Sequence, residues 1–503
     1  MAKKLTATVV GGGISGMTAA LILARFGHEV TLVERSTELG RTVRGFFRGD
    51  VYFDTGFHAS GGLGENGPFT RYLKFLGLDA LTVVPFQQEG YDTIRFGAER
   101  DIRLNAGYGT FREHLTELFP GEKKGIGIFV DAIRKRYDNA PFLKEATDIR
   151  AEFAEEADYD TLSDFLSSII RDPLLRATLS VASLLQGAPP GEVSFLQHAR
   201  VLASRIDAAA TFEGGGIALA DAFARRLGEN GVRVITGTGV SRINVSPGGF
   251  VEGITLDDGD MYDADTVVYT GHPFYLFELV HEGVFTPVFA RQMQKPAETP
   301  SAYMLFGVSE TPVIAGGGSN FFYCPDTDLS RMFRPGHDPL TGPFYFTTRP
   351  GTGLPARGMK DASARGPHTV TAIMAGDFAP FERWKDTPPG QRGAEYAAIK
   401  AEKLDRFREA LARICPETTS VRFIEGATPL TLRDYTRSPA GSVYGRKHTL
   451  AMYNPQPATR VPGLWLAGQS IVAPGALGAV ISAFLACGFI VGSENLHAEL
   501  NRP

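Results

Sequence analysis

The stretch "VVGGGISG" at residues 9–16 sets glycines at Gly11, Gly13 and Gly16, the spacing GxGxxG. Each glycine has its own task in binding a dinucleotide. Gly11 allows a tight turn, Gly13 lets the backbone approach a pyrophosphate, and Gly16 lets a helix pack close to a strand. The phosphates then rest on the helix N-terminus, where unpaired N–H groups and the macrodipole favour negative charge. Glu34 lies 18 residues past Gly16, where an acid takes the ribose hydroxyls and repels the extra phosphate of an NADP adenosine. Hydrolytic signatures are missing: the chain has no GxSxG, no HExxH and no obvious carboxylate pair.

These residues need a strand, a helix and a second strand to hold them, and "LTATVVGGGISGMTAALILARFGHEVTLVERS" reads as one such βαβ unit. A second element of note is the run from Val461 to Ser493, which carries no charge. It is long enough to span a bilayer. However, Gly463, Gly468, Pro474, Gly475 and Gly478 interrupt its first half, and lipid cannot satisfy the backbone groups they free. The run is expected to be a buried strand "LWLAG", a loop "QSIVAPGALG" and a helix from about Ala479 to Leu496.

The remaining composition suits an intracellular α/β enzyme. A chain of 503 residues can build two or more domains. A net charge of −5 without a basic tract gives no footprint for nucleic acid. Cys324, Cys415 and Cys487 are odd in number and far apart, which argues against disulfides and against a CxxC redox or zinc site, and no metal site is expected. Met1 to Leu5 is too short and polar for a signal peptide, so the cytoplasm is the expected compartment. The aromatic groups "NFFYC" at 320–324, "FYF" at 344–346 and "FAPFERW" at 378–384 suit ordinary core and, taken together, the walls of a long apolar pocket.

NAD and FAD share the glycine fingerprint, and the rest of the chain separates them. Four blocks follow in order: "STELGRTVRGFFRGDVYFDTGFHAS", "GGGIALADAFARRLGENGVRVITGTGVSRINV", "DADTVVYTGHP" and the strand closing on Gly468. They resemble the FAD-dependent amine oxidase and phytoene desaturase superfamily, and within it the carotenoid desaturase, carotenoid isomerase and retinol saturase group. "RDPLLR" carries that group's Asp-Pro-Leu signature at Asp172 to Leu174, and "GSVYGRKHTLAMYNPQPATRVPGLWLAGQS" looks most like the retinol saturase branch.

The resemblance implies an α/β fold, α+β overall, with a Rossmann-type FAD domain interleaved with a mixed-sheet and helical substrate domain. The FAD parts would be 1–85, 210–275 and 440–503, and the substrate parts 86–209 (helical) and 276–439, with loops such as "RPGHDPLTGPF" and "RPGTGLPARG" in the latter. It implies non-covalent FAD, with Gly11, Gly13, Ser15 and Gly16 at the pyrophosphate and Glu34 with Arg35 at the adenosine. Gly40, Arg41 and Thr42 would pass along the phosphate and ribityl region, and Val240 would give backbone contacts to the adenine. Gly468 and Gln469 would close on the phosphates and ribityl chain, with Leu477, Gly478 and Ala479 beside the isoalloxazine. Relatives commonly carry a Gly-Gly pair before the arginine; here Leu39 precedes Gly40.

The implied chemistry is hydride transfer between flavin and a carbon of a long lipophilic polyene or isoprenoid. Saturation is favoured by the C-terminal likeness; desaturation, cis–trans isomerisation and an amine-type oxidase are alternatives. Saturation needs one proton, and His58 after "FDTGF" and Tyr444 in "YGRKH" are the candidate donors, with structural roles as their competing reading and His448 close by. "EGGGIAL" at 213–219 lacks a third glycine and a preceding strand. No nicotinamide domain is therefore expected, which leaves a quinone, a separate reductase, oxygen or diffusing nicotinamide as electron partner. The segment "EKKGIGIFVDAIRKRY" at 122–137 puts Ile126, Phe129, Val130 and Ile133 on one helical face, suited either to the core or to peripheral contact with an anionic bilayer.

Overall fold

The computed structural model describes residues 5–97, 100–140, 142, 160–313, 320–334, 336–349 and 367–502. Most of "RPGTGLPARG", residues 350–358, lies outside the described residues.

Strands rich in Val, Leu and Ile build a five-stranded parallel sheet in the order Leu464–Leu466, Thr266–Tyr269, Thr6–Val10, Glu29–Glu34 and Arg233–Thr236. Every neighbouring pair is parallel. Such strands carry apolar residues on both faces because helices cover both. The helices Ile14–Arg25 and Gly475–Val491 pack together against the sheet in one core with Gly215–Glu229. The strand after the glycine turn, Glu29–Glu34, ends on the expected acid. An antiparallel meander of Val240–Val245, Val251–Leu256 and Met261–Asp263 stands beside this sheet.

The second large layer is a seven-stranded sheet. Its order is Arg422–Ala427, Ser301–Ser309, His368–Gly376, Phe344–Arg349, Asn320–Cys324, Asp92–Phe96 and Arg100–Leu104. All pairs are antiparallel except Asn320–Cys324 with Asp92–Phe96, so the sheet is mixed. The stretch 86–209, expected to be helical, thus also supplies two sheet strands. Its helices Lys123–Asp138 and Phe195–Ala208 pack against that hairpin.

One pair of alternatives is decided here, for the core, and one expectation changes. Ile126, Phe129, Val130 and Ile133 are all buried in the core formed with Phe195 and Leu202, so this face of Lys123–Asp138 has no surface left for a bilayer. The C-terminal helix begins at Gly475 rather than Ala479 and stops at Val491. There Gly492 turns with φ +87° before a separate helix Ser493–Leu500. Among the described residues no helix is long and apolar enough to cross a membrane. The uncharged run is buried by the helix Ile14–Arg25, not by lipid.

Candidate functional site

The glycine turn joins the strand Thr6–Val10 to the helix Ile14–Arg25 at the carboxyl edge of the parallel sheet, where open α/β sheets bind ligands. Gly11 adopts φ +109°, a conformation that disfavours L side chains. A Cβ on Gly16 would collide with the Gly11 carbonyl oxygen, so helix and turn touch backbone to backbone. At Gly13 a Cβ would meet no atom within 4 Å, which leaves the helix N-terminus open to a pyrophosphate at that one point. Glu34 holds the turn in place: its carboxylate accepts from the Gly12 N–H at 2.6 Å and the Ser36 N–H at 2.7 Å. Gly40, in the left-handed region at φ +68°, donates its N–H to the Gly12 carbonyl at 2.8 Å. The single glycine therefore suffices to bring Arg41 and Thr42 beside the turn.

Arg35 is exposed at the surface, yet the protein crowded around it first, then the nearby charge of Arg437, pushes its guanidinium below the ordinary arginine range. Arg41 stands beside both and lies over the Tyr435 ring at 4.3 Å. Three guanidiniums converging on one place call for an anion. Arg437 is the member that the sequence reading missed; it is also one of two non-glycine residues with positive φ among those described. Val240 opens the meander next to Gly239, whose N–H donates to Asp257 at 3.0 Å and whose Cα lies close to Arg35.

The far end of the site is formed by the C-terminal strand and helix. The Ser15 hydroxyl donates to the Ala479 carbonyl at 2.6 Å, and the Gly468 N–H donates to the Ser482 hydroxyl at 2.9 Å. Ser15 thus ties the N-terminal turns of two helices together through its side chain. Gln469 accepts through its carbonyl from His448 Nε2–H at 2.8 Å, and burial lowers the His448 pKa. Leu477 and Gly478 line a cavity of about 620 Å³, together with His58, Tyr444 and His448.

His58 is half-buried at this cavity and its ring nitrogens make no hydrogen bond of good geometry. Burial, then the charge of Arg349, lowers its pKa to about 3, opposed only in part by the Thr55 carbonyl. A neutral imidazole of that kind can orient a substrate but is a poor proton donor. Burial pushes the Tyr444 hydroxyl up to about 12, with Arg205 pulling the other way, so it stays protonated.

A profile for flavin containing amine oxidoreductases matches residues 14–348. The chain belongs to the flavin-containing amine oxidoreductase family. It is similar to the all-trans-retinol 13,14-reductase of Danio rerio, at 25% identity over 98% of this chain and 87% of that protein. It is similar also to the hydroxyneurosporene desaturase of Rubrivivax gelatinosus, at 26% identity over 98% of this chain and 93% of that protein. Among solved structures, an oxidoreductase from Methanosarcina mazei shares the fold with a TM-score of 0.66 and 16% identity, covering 95% of this chain and 99% of its own.

The family supplies the flavin and the glycine turn supplies the dinucleotide cradle; together they make the cofactor FAD, and this member of the flavin-containing amine oxidoreductases is an FAD-dependent oxidoreductase. The residues around Gly13 fit the group, because space opens there and nowhere else in the tightly packed turn. "EGGGIAL" does have a preceding strand, Ala210–Phe212, contrary to expectation. Even so it is no second phosphate site. The Gly216 N–H already donates to the Asp54 carboxylate at 2.8 Å, and a Cβ on Gly216 would collide with the Val43 carbonyl.

Two buried ionic groups escaped the sequence reading. Asp54 accepts from the Tyr52 hydroxyl at 2.8 Å and faces Arg349 Nε at 3.3 Å; burial raises its pKa against the pull of Arg349. Arg349 in turn donates to the carbonyls of Phe57 and His58 and to Thr211, so a strand of the seven-stranded sheet grips the turn that carries His58. The second group is Arg205 with Asp92, at 2.6 and 2.7 Å, joined by Asn320 at 2.8 Å and, through Asn320, by the Tyr345 hydroxyl at 2.6 Å. Burial works against the Arg205 charge, but beside Asp92 the balance is upward and the guanidinium stays charged. A lone acid in the apolar strand "YDTIRF" was the available signal, and its partner lies 113 residues away.

Proposed function

We propose that this enzyme acts on carbon–carbon double bonds of a long lipophilic polyene or isoprenoid, by saturation. The observation that carries this reading is the cavity beside Leu477 and Gly478. Phe57, Leu184, Leu185, Phe322, Ile373 and Val443 give it apolar walls, and its described lining contains no carboxylate. Arg200 and Arg205 are its charged groups, which disfavours the ammonium of an amine substrate. The likeness to a retinol 13,14-reductase across 98% of the chain supports the direction.

Bound FAD, once reduced by its electron partner, would supply the hydride. The chain's share is to orient the polyene, exclude water and furnish one proton. Tyr444 holds its proton at the Oη, and burial keeps it there until a strongly basic carbon develops alongside. His58, neutral at ordinary pH, positions the substrate against the turn gripped by Arg349. Gly11, Gly13, Gly16, Glu34, Arg35 and Arg41 hold the dinucleotide, with Gly468 and Gln469 closing its other end. The electron source is a separate quinone, reductase or nicotinamide.

The likeness to a desaturase supports a second reading, the reverse reaction, in which a hydride would pass from the saturated bond to oxidised FAD and the proton on the neighbouring carbon to the neutral His58 imidazole or to water, since Tyr444 already holds its own proton. Anaerobic reduction of the flavin followed by addition of a conjugated polyene separates the two. Saturation predicts flavin reoxidation with loss of polyene absorbance, and a Tyr444→Phe variant slowed by about 10²- to 10⁴-fold. A reduced flavin that no polyene reoxidises, yet oxygen or a quinone does, sinks saturation for those substrates.

A further inference from the structure

One wall of the cavity holds a charge pair that cofactor binding does not use. Arg205 projects from the helix Phe195–Ala208, with its side chain 7% exposed, and Asp92 from the strand Asp92–Phe96 is equally buried. Both contacts of the pair use Arg205 Nη2. Nε is buried without a partner, and no described residue accepts from Nη1. The other side of Asp92 is filled by the Asn320 amide, and one face of the guanidinium lies 5.6 Å from the Tyr91 ring centre. Nη1 is not closed off and has no acceptor among the described residues, and a charged N–H left unbonded is costly, so it calls for an acceptor oxygen from the cavity side. Arg205, Asn320 and Tyr345 all line that cavity, whose described lining offers no carboxylate to do the job.

We propose that Arg205, fixed by Asp92 and flanked by Tyr345, receives an oxygen-bearing end group of the substrate. The substrate is then an amphipathic polyene ending in a hydroxyl, carbonyl or carboxylate, not a plain hydrocarbon. This rests on the polyene reading above and narrows it. With Nη2 taken by Asp92, the Nη1 N–H groups of the planar guanidinium point in a fixed direction and suit one acceptor oxygen. The Tyr345 ring stands 6.1 Å from that of His58, so the anchored end sits at the His58 side of the cavity and the apolar chain occupies the remainder.

The test titrates the holoenzyme with polyenes of one chain length ending in hydroxyl, carboxylate or methyl, reading each Kd from the perturbation of flavin absorbance. At least one oxygen-ended polyene is expected to bind about tenfold or more tighter than the methyl-ended one, the range for a hydrogen bond to a charged group. In the neutral pair Arg205→Gln with Asp92→Asn that ratio falls to about two or less. Tyr345→Phe leaves the ion pair whole, keeps the test alive if the double variant does not fold, and lowers the ratio about threefold. A wild-type ratio near one, or a ratio unchanged in the variants, overturns the anchor while leaving the polyene reading intact. If no polyene of any ending binds or reoxidises the flavin, both fall together.

Discussion

The glycine turn at 11–16 and the cavity wall around Arg205 and Arg349 belong to one site but are made of different material. In the turn the groups are backbone: Gly16 must lack a Cβ because the Gly11 carbonyl fills its place, and Gly13, where a Cβ would meet nothing within 4 Å, leaves the room proposed for a phosphate. In the wall the groups are side chains brought from distant elements, Asp92 on a strand with Arg205 on a helix, and behind the lining Asp54 with Arg349. A backbone site is specified by local spacing and tolerates little change at its glycines. A side-chain site is specified by pairing across the fold, and each half is meaningless without the other.

The largest effects separate the two glycines of the turn. Gly16→Ala drives a Cβ into backbone that has no rotamer to yield, so it is expected to cost more than about 3 kcal/mol and to give little folded holoprotein. Gly13→Ala meets nothing within 4 Å and its backbone is extended at φ −74°, so the variant folds with nearly unchanged urea midpoint. Its FAD affinity nevertheless falls about 10- to 100-fold, measured by flavin release on dilution, as charge-assisted contacts are lost. Equal effects at both positions would mean that Gly13 is merely structural and would break the comparison.

Next in size is the wall. Arg349→Met removes the cation facing Asp54 and leaves a buried carboxylate whose partners are then a phenol and one backbone N–H. Breaking a buried pair in this way costs about 3–5 kcal/mol, and urea unfolding followed by flavin fluorescence reads it. Because Arg349 also holds the carbonyls of Phe57 and His58, flavin environment and stability should change together. A neutral outcome would show that the turn at 54–58 is held by the glycine helix Gly215–Glu229 alone.

The difference in material explains what was legible in the sequence. Gly11, Gly13, Gly16 and Glu34 could be read because a strand, three glycines and an acid recur within about one βαβ unit. The strand at 464–466 and the buried helix after it could be read because glycine and proline punctuate an uncharged run. Arg205, Asp92, Asp54 and Arg349 could not, since each partner lies more than a hundred residues from the other and a single charged residue in a strand has many meanings. Arg437 was hidden for another reason: its place beside Arg35 and Arg41 depends on a left-handed backbone conformation that no local pattern announces. The amphipathic helix at 123–138 shows the converse, a pattern read correctly as a helix whose partner, core or membrane, only the packing decides.

The smallest expected effect bears on His58, which belongs to both materials: its carbonyl is gripped by Arg349 while its ring faces the cavity. With a folded pKa near 3 and an ordinary value of 6.5, the ring binds its proton in the unfolded chain first as pH falls. Between those values the unfolded state holds more protons, so stability declines as the solution is acidified from about pH 6.5 towards pH 3 and is unaffected by this group above that window. His58→Asn deletes the term. The variant's holoprotein should lose stability less steeply over that range, by up to about 1.4 kcal/mol per pH unit for one proton, when urea midpoints are compared at fixed FAD excess. The wild-type rate profile should also lack a limb between pH 5 and 7 assignable to this ring. If such a limb exists and vanishes in His58→Asn, the imidazole titrates in the working enzyme, and the proton assigned to Tyr444 belongs to His58 instead.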